Sequence, residues 1–172
     1  HWGTDIWVLH LDDSNDEIFK ITSNDGRDDS PSWSPDGKSI AYRTSSGYDV
    51  GGSALTPTRY LATTAIDEDE RKILTSDLDR NIADPSYSDD GKKIYFKLED
   101  SGQVHFASFS IEGSKLTREI EQQVNVRSFS ISNNRIALLL GKSDQPAEIF
   151  TFDDNILDQK TNISGKILDG VE

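Results

Sequence analysis

The chain has 172 residues and a mass of 19.2 kDa, which suits one ordinary domain with a core of its own. Its 31 acidic and 18 basic residues give a net charge of −13, so we expect no nucleic-acid partner, because the phosphate backbone would be repelled. The longest apolar run, residues 136–140, is too short to span a membrane. The absence of cysteine excludes disulfides and thiolate chemistry.

The sequence begins with His1 and Trp2 and contains no methionine. We therefore expect a processed product or an excised fragment, with any signal peptide absent or already removed. The sequence does not fix the cellular compartment, and the bacterial cytoplasm and the periplasm are the two expectations.

The first segment, residues 1–25, is predicted to hold two short strands, at 5–11 and 17–22. The acidic run 12–17 between them has some likeness to a calcium loop. That match fails, because Glu17 stands where the loop needs glycine and Ser23 where it needs glutamate. The run is interpreted as a solvated turn, and the two strands as the last two, C and D, of a partial four-stranded unit.

The next segment, 26–76, is predicted to contain a complete unit of strands A to D. Strand A ends at Trp33, and Ser-Pro-Asp-Gly at 34–37 leads into the apolar strand 40–42. Proline presets this turn and glycine supplies a positive φ, which is typical of a hairpin. A second hairpin and a Ser/Gly/Thr-rich inserted surface loop complete the unit, with strands at 60–66 and 71–75 and the loop at 44–59.

Both hairpins recur in segments 77–121 and 122–164. The run 85–96 aligns on 31–42 without a gap, and 128–138 is a weaker third copy in which two asparagines replace Asp-Gly. Two landmarks repeat with a period of about 42 to 44 residues outside the insertion, namely the aromatic residues Trp33, Tyr87 and Phe129 and the strand-closing threonines Thr22, Thr75, Thr117 and Thr161. The predicted second hairpins pair 104–111 with 114–117 and 148–152 with 157–161.

Four short antiparallel strands in each repeat of this length predict an all-β fold of β-propeller blades. The remaining residues, 165–172, form a tail or the start of a further strand, so we expect one incomplete, open propeller domain. Helical spacing is weak throughout, and 119–126 is the one plausible helical turn. A β-sandwich of short strands is the alternative fold. Because an incomplete array leaves two blade faces uncovered, we also expect self-association.

The run Asp28-Asp29-Ser30-Pro31-Ser32-Trp33-Ser34-Pro35-Asp36-Gly37 resembles the repeat of TolB-type propellers and of the propellers that cap prolyl oligopeptidase family serine peptidases. Residues 74–81, leading to 85–88, resemble the linker between blades in the acylaminoacyl-peptidase and bacterial dipeptidyl-peptidase-like branch, and 146–152 is similar to the last blade there. The likeness runs over roughly residues 3–164. Tyr87 in place of tryptophan and Asp89 in place of the turn proline depart from the pattern.

This resemblance implies the non-catalytic propeller portion of a serine exopeptidase that acts on short or N-blocked peptides. Its implied partners are its own α/β-hydrolase domain, absent from this chain, and the peptide substrate whose access it gates. The alternative is a TolB-type propeller that binds a protein partner and has no hydrolase attached. On either interpretation we expect this chain alone to be inactive, with no catalytic, metal or cofactor site.

Several residue patterns could suggest chemistry, and each has a simpler interpretation. The three histidines His1, His10 and His105 show no metal-ligand spacing, and the latter two fall in predicted strands, where a structural role is expected. The nucleophile elbow Gly-x-Ser-x-Gly does not occur; the nearest sequence, 51–55, lacks the second glycine.

Gly-Lys-Ser occurs at 37–39 and 141–143, but without the first glycine and the helix of a phosphate loop. Residues 162–164 form a glycosylation acceptor that matters only in a eukaryotic secretory context. The acidic pair at 28–29, together with Asp79 and Arg80, is predicted to hold the start of strand A through hydrogen bonds to the backbone.

Overall fold

The computed structural model describes residues 3–11, 17–24, 26–45, 58–66, 71–142, 145–163 and 165. Most of these residues lie in β-strands. The strands, in chain order, are β1 (Trp7–Leu9), β2 (Ile18–Lys20), β3 (Asp28–Trp33), β4 (Ser39–Ser45), β5 (Arg59–Ala65), β6 (Arg71–Ile73), β7 (Ile82–Tyr87), β8 (Lys93–Asp100), β9 (Gln103–Ser110), β10 (Lys115–Arg118), β11 (Asn125–Ser132), β12 (Arg135–Lys142), β13 (Gln145–Asp153) and β14 (Ile156–Gln159).

The strands form antiparallel sheets in which neighbours in sequence are neighbours in space. The sheet orders are β1-β2, β3-β4-β5-β6, β10-β9-β8-β7 and β11-β12-β13-β14. The all-β prediction of four-stranded antiparallel blades is therefore confirmed, and no sheet among the described strands closes on itself. By its contacts the chain divides into two compact units, His1–Tyr87 and Ser88–Glu172.

Some predicted boundaries need correction. Thr44 and Ser45, predicted to begin the inserted loop, instead continue β4, because the Thr44 hydroxyl binds buried Asp28 and the Ser45 amide donates to the Arg27 carbonyl at 2.9 Å. Arg59 already belongs to β5. Residues 46–57, the rest of that loop, lie outside the described residues.

The helical turn predicted at 119–126 is also wrong. Residues 119–124 are irregular and β11 begins at Asn125, because Ile120 and Val124 are buried in the core of the second unit. Gly165 has a helical backbone, and 166–172 lie outside the described residues. The division into blades at 26–76, 77–121 and 122–164 stays a prediction.

The turn between strands A and B is built identically in the first two copies. In the first copy the Ser34 hydroxyl donates to Asp36 at 2.6 Å and accepts from the Ser39 amide at 2.9 Å, while the Lys38 amide donates to Asp36 at 3.1 Å. Gly37 has the positive φ of 70° that the sequence predicted. In the third copy, Asn133 and Asn134 take positive φ values of 52° and 57°, which makes a shorter turn of the same hairpin.

The second copy repeats this network within the second unit. The Ser88 hydroxyl donates to Asp90 at 2.7 Å and accepts from the Lys93 amide at 3.0 Å, and the Lys92 amide donates to Asp90 at 3.0 Å. Gly91 has a φ of 71°. Asp89 in the place of proline therefore leaves the turn geometry unchanged.

A second repeated set of hydrogen bonds joins the end of strand D to strand C. The C strands are β1, β5, β9 and β13, and the D strands are β2, β6, β10 and β14. The backbone carbonyl of one residue in each C strand, or directly before it in the case of β1, accepts a hydrogen bond from the amide of the residue that follows strand D, at 2.8 to 3.0 Å. The acceptors are Ile6, Leu61, Phe106 and Ile149, and the donors are Ile21, Leu74, Glu119 and Lys160. In three copies the next residue is a threonine whose Oγ1 accepts from the amide of the same C-strand residue at 2.9 Å, and these are Thr22, Thr75 and Thr161.

Thr117 is not the equivalent threonine, which corrects the sequence-based repeat. In the sheet β7–β10 the equivalent position is Ile120, because it directly follows the amide donor Glu119. Thr117 lies inside β10 opposite Ser108. Ile120 has no oxygen to accept a hydrogen bond and is buried instead in the apolar core of its unit.

Each unit has its own apolar core between two sheets. In the first unit, Ile6 and Val8 of the β1–β2 hairpin pack on Ile40, Tyr42 and Ala62 of the next sheet. In the second unit, Phe106 packs against β11–β14, with its ring centroid 5.1 Å from Phe129 and 6.0 Å from Phe152. Alternation of side chains across a strand explains why each sheet contributes apolar residues to both of its faces.

We predict that Thr75→Val destabilises the chain by about 1 to 3 kcal/mol, because it leaves the buried Leu61 amide without its acceptor while keeping the side-chain shape. Urea denaturation followed by tryptophan fluorescence measures the free energy of unfolding. The matched control is Thr117→Val on exposed β10, for which we expect a change within about 0.5 kcal/mol. Equal losses for the two variants would contradict the role given to Thr75.

Candidate functional site

The histidines are not brought together into a reactive group. The His10 ring lies 5.4 Å from the ring of Phe19, and its backbone amide donates to Glu17 at 2.9 Å. His105 lies in β9 opposite Leu98 and is partly buried, whereas His1 lies outside the described residues. Among the described residues there is no group of three or more His, Cys, Asp or Glu side chains that could hold a metal ion.

The serine hydroxyls of the turns are occupied by structural bonds. Ser34 and Ser88 each have a carboxylate partner, but a nucleophile needs a base that takes its proton. The hydrogen bond from Ser34, followed by that from the Lys38 amide, holds the pKa of Asp36 below its usual range. Asp90 has its pKa lowered in the same way by Ser88. A carboxylate with a lowered pKa is a poor base, so these pairs stabilise turns and do not activate serine.

The acidic pair at the start of strand A is structural, but its partners differ from those predicted. Asp28 is buried and accepts from the side chains of Thr44 at 2.6 Å and Asn24 at 2.5 Å. Asp29 accepts from both Nε and Nη2 of Arg43, at 2.6 and 2.7 Å. Burial by itself raises the pKa of Asp29, but the hydrogen bonds and charge of Arg43 hold it below its usual range. The two carboxylates are thus bound by the side chains of Asn24 and of two residues on β4.

The other motifs have local roles or lie outside the described residues. Gly37-Lys38-Ser39 forms the hairpin turn, and the Asn162 side chain accepts from the Gly165 amide at 3.0 Å. Arg80 donates to the carbonyl of its neighbour Asp79 and is exposed. The acidic residues at 12–16, the glycine-rich stretch 51–55, Ser143 and Ser164 fall outside the described residues, so their predicted roles stay predictions.

A surface cavity of about 340 Å³ in the second unit is a candidate site for ligand contact. Three turns line it, namely the turn after β7, the turn after β9 and the turn after β11. Charged groups of both signs surround its rim, and Tyr95 and Ile131 supply apolar surface. The sequence analysis missed this cavity because its walls come from segments about 20 residues apart, each of which looks like an ordinary solvated turn.

The charges in this cavity are fixed by a buried network. Glu119 has a side chain only 7% exposed, and its Oε1 accepts from Lys93 at 3.1 Å and from the Ser108 hydroxyl at 2.5 Å. The Lys93 ammonium also lies 5.8 Å from the centre of the Tyr95 ring, which stacks on Phe106 at 5.2 Å. Burial lowers the pKa of Lys93, but Glu119 outweighs it and raises that pKa, so Lys93 stays cationic.

This arrangement suits noncovalent contact with a polar chain. Burial raises the pKa of Tyr95, which keeps its phenol neutral and able to donate a hydrogen bond. Lys92 and Lys93 could contact a carboxylate, and Asp89 and Glu112 an amine, over an aromatic floor. The described lining contains no histidine, and its Ser88 hydroxyl donates to Asp90. No helix in the described part of the chain is long and apolar enough to cross a membrane.

Comparison with known proteins shows the fold. The sequence matches no protein-family model and no curated protein. TolB from Acinetobacter baumannii has a similar structure, with 21% identity and a TM-score of 0.67 over 91% of this chain and 37% of that one. Acylaminoacyl peptidase from Pyrococcus horikoshii shares 18% identity, with a TM-score of 0.71 over 92% of this chain and 23% of that one.

The β-propeller domain of the Trilobed protease from Pyrococcus furiosus, which has an open velcro topology, shares 15% identity, with a TM-score of 0.68 over 87% of this chain and 44% of that one. The resemblance to TolB and to peptidase propellers is thus confirmed at the level of the fold. This chain spans less than half the length of each of these three chains.

We predict that Ser34→Ala lowers stability near neutral pH and that its effect shrinks in acid. Asp36 has a lower pKa in the folded chain than the value near 3.9 expected when unfolded, so its stabilising effect is present above that value and disappears as the pH falls through the folded pKa. Because Ser34→Ala removes the main cause of the lowered pKa, the gap between the wild-type and variant curves of unfolding free energy should narrow as the pH falls through the folded pKa of Asp36, leaving only the loss of the bond from the Ser39 amide.

Urea denaturation between pH 7 and pH 2 measures these curves. Ser88→Ala should behave in the same way, because Ser88 holds Asp90 with the same geometry. Ser128→Ala, at an exposed strand position, is the control and should follow the wild-type curve at every pH. A pH-independent loss in both turn variants would show that the serines act only through the amide hydrogen bond.

Proposed function

We propose that this chain is the non-catalytic propeller portion of a serine peptidase that acts on short or N-blocked peptides. The observation that carries the proposal is the structural similarity to acylaminoacyl peptidase over 92% of this chain, with a TM-score of 0.71. The match covers only 23% of that peptidase chain, which leaves most of it for other parts. Similar matches to puromycin hydrolase, at 17% identity and a TM-score of 0.64, and to the Trilobed protease propeller domain support the same assignment.

In this proposal the chain admits and positions peptides, and a separate α/β-hydrolase domain carries out acyl transfer. The cavity of the second unit supports the positioning role, because Lys93, Tyr95 and Glu112 offer a cation, a neutral phenol and a carboxylate to a short peptide. The turn serines are engaged in hydrogen bonds that stabilise the turns, which supports the proposal that this chain itself catalyses no reaction.

A second candidate function is a TolB-type module that binds a protein partner. It is favoured by the 21% identity to TolB from Acinetobacter baumannii, which exceeds the 18% identity to the peptidase. The reading frame of the gene separates the two proposals. The peptidase requires a Gly-x-Ser-x-Gly elbow followed by Asp and His in the same protein, and a frame without that elbow would favour the binding module.

We predict that the purified 172-residue chain does not hydrolyse N-acetyl or dipeptide p-nitroanilides, because the hydroxyls of Ser34, Ser88 and Ser108 are engaged in structural hydrogen bonds to carboxylates. The measurement is release of p-nitroaniline, with and without a serine-directed phosphonate inhibitor. Release that the inhibitor abolishes would overturn the assignment of a non-catalytic role.

For the full-length protein the same proposal predicts turnover of a short N-acetylated peptide but not of the same sequence at the end of a folded domain. The double variant Lys93→Ala and Tyr95→Phe should raise KM at least several-fold with little change in kcat, because it removes substrate contacts and leaves the hydrolase intact. Gln123→Glu, in an exposed turn, is the control. An unchanged KM would exclude the cavity as a peptide site.

A further inference from the structure

Two equivalent seams occur in the chain, each a contact between one sheet and strand A of the next. The first seam joins the sheet β3–β6 to β7, and the second joins the sheet β7–β10 to β11. Ala41 of β4 pairs with Thr63 of β5 at the first seam, and Tyr95 of β8 pairs with Ser108 of β9 at the second. These pairs are equivalent, because Thr63 and Ser108 each lie two residues after the carbonyl acceptor of their C strand.

A phenol ring fills the first seam. The side chain of Tyr87, the last residue of β7, is turned toward the sheet β3–β6, and its hydroxyl lies 3.1 Å from the hydroxyl of Thr63. Tyr87 is only 8% exposed. The first seam therefore shows that this fold can hold an aromatic ring between a sheet and the next strand A.

In the second seam the position of Tyr87 is taken by Ile131. Ile131 pairs with Ile136 at the start of strand B, just as Trp33 pairs with Ile40 in the first copy. Tyr87 is the counterpart of Trp33, because the turns that follow these two residues have the same hydrogen bonds. An aliphatic side chain thus stands in the second seam where an aromatic ring stands in the first.

The A–B turn at the second seam is also shorter. It has four residues between its paired ends, 132–135, whereas the turn of the first copy has six, 34–39. The Asn134 amide of the short turn donates to Asp89 at 2.5 Å, and Asp89 stands where the first copy has Pro35. Two departures from the repeated turn sequence therefore contact each other at this seam.

The smaller side chain and the shorter turn explain the cavity of about 340 Å³, which Ile131, Asn134 and Asp89 all line. Both sheets of this seam lie in the second unit. The opening is thus produced by residues inside the repeat, in the place where the first seam is closed by Tyr87.

The apolar walls of the cavity suit an aromatic ring. Tyr95 lines it and stacks on Phe106, with the ring centroids 5.2 Å apart and the ring planes at 2°. Phe106 in turn contacts Phe129 and Phe152 edge to face. A further ring placed beside Tyr95 and Ile131 would extend this cluster, and such aromatic pairs stabilise by more than the area they bury.

A polar group beside the ring site can hold a peptide backbone. The Lys93 ammonium donates to Glu119 at 3.1 Å and lies 5.8 Å from the centre of the Tyr95 ring. An ammonium has three donor hydrogens, so Lys93 can bind Glu119 and a peptide carbonyl at the same time. The cavity therefore offers an apolar slot with a fixed hydrogen-bond donor next to it.

We propose that this cavity binds an aromatic side chain, phenylalanine or tyrosine, of a peptide, in the place that Tyr87 fills at the first seam. The inference rests on the proposed function, because it takes a peptide as the ligand. The chain then selects among short peptides by whether they carry an aromatic residue.

Ile131→Tyr tests the proposal, because it gives the second seam the side chain that fills the first. The probe is N-acetylphenylalaninamide, titrated by saturation-transfer NMR into the full-length protein after a serine-directed phosphonate has blocked any hydrolase site. We expect the wild type to bind the probe, and the variant to bind it with a dissociation constant at least about fivefold higher, as for loss of a buried aromatic contact.

Two controls isolate the ring. N-acetylalaninamide has the same backbone without the ring and should bind the wild type more weakly than the phenylalanine probe. Ile156→Tyr makes the same substitution at an exposed position of β14 and should bind the phenylalanine probe like the wild type. Circular dichroism checks folding, and Ser110→Phe, which fills the cavity from another wall, repeats the test if Ile131→Tyr fails to fold.

Two outcomes would overturn the proposal. Equal binding of the phenylalanine probe to the wild type and to Ile131→Tyr would place the aromatic site elsewhere. A wild type that binds this probe no better than the alanine probe would show that the cavity selects no ring or is covered by another part of the protein. Failure of the proposed function gives a different result, in which the uninhibited protein hydrolyses no peptide while Ile131→Tyr still weakens binding of the probe.

Discussion

Each sheet of this chain carries apolar side chains on both faces, and the whole architecture depends on keeping water from both of them. A sheet with one solvated face would alternate apolar and polar residues. Here Tyr42 and Leu61, on opposite faces of one sheet, are both fully buried. Such a sheet is stable only as one member of a stack, so each blade depends on its neighbours more than on any bond inside it.

The stack also needs the edges and turns of each sheet to satisfy their backbone groups. Serine and aspartate do this at the A–B turn, and a threonine after strand D supplies the amide acceptor that the short last strand lacks. Ile120 shows that a buried apolar side chain can take the place of the threonine hydrogen bond. It gives up the hydrogen bond but adds a buried apolar side chain next to Phe106 and Val126, and burial of a side chain of this size offsets a bond worth about 1 kcal/mol.

The local features of the fold could be predicted from sequence, whereas those that depend on register could not. The Ser-Pro-Asp-Gly turn can be predicted from sequence, because all its hydrogen-bonding groups lie within six residues. The repeat spacing predicts Thr117 as a strand-closing residue, because spacing alone cannot show which amide a threonine faces. The bond from the Glu119 amide to the Phe106 carbonyl fixes the register and makes Ile120 the equivalent position. The β4 partners of Asp28 and Asp29 lie 16 and 14 residues away along the chain. The cavity around Tyr95 needs three separate turns, so no single stretch of sequence indicates it.

The use of polar side chains decides what this fold can do by itself. The hydroxyls of Ser34, Ser88 and Ser108 are each bound to a carboxylate, and no buried side-chain polar atom in the described part of the chain lacks a partner. Catalytic groups differ in this respect, because a nucleophile and its base must remain available to substrate. The hydroxyls of these serines therefore serve the turns and strands of the fold, as the acidic side chains of Asp28 and Asp29 do at the start of strand A.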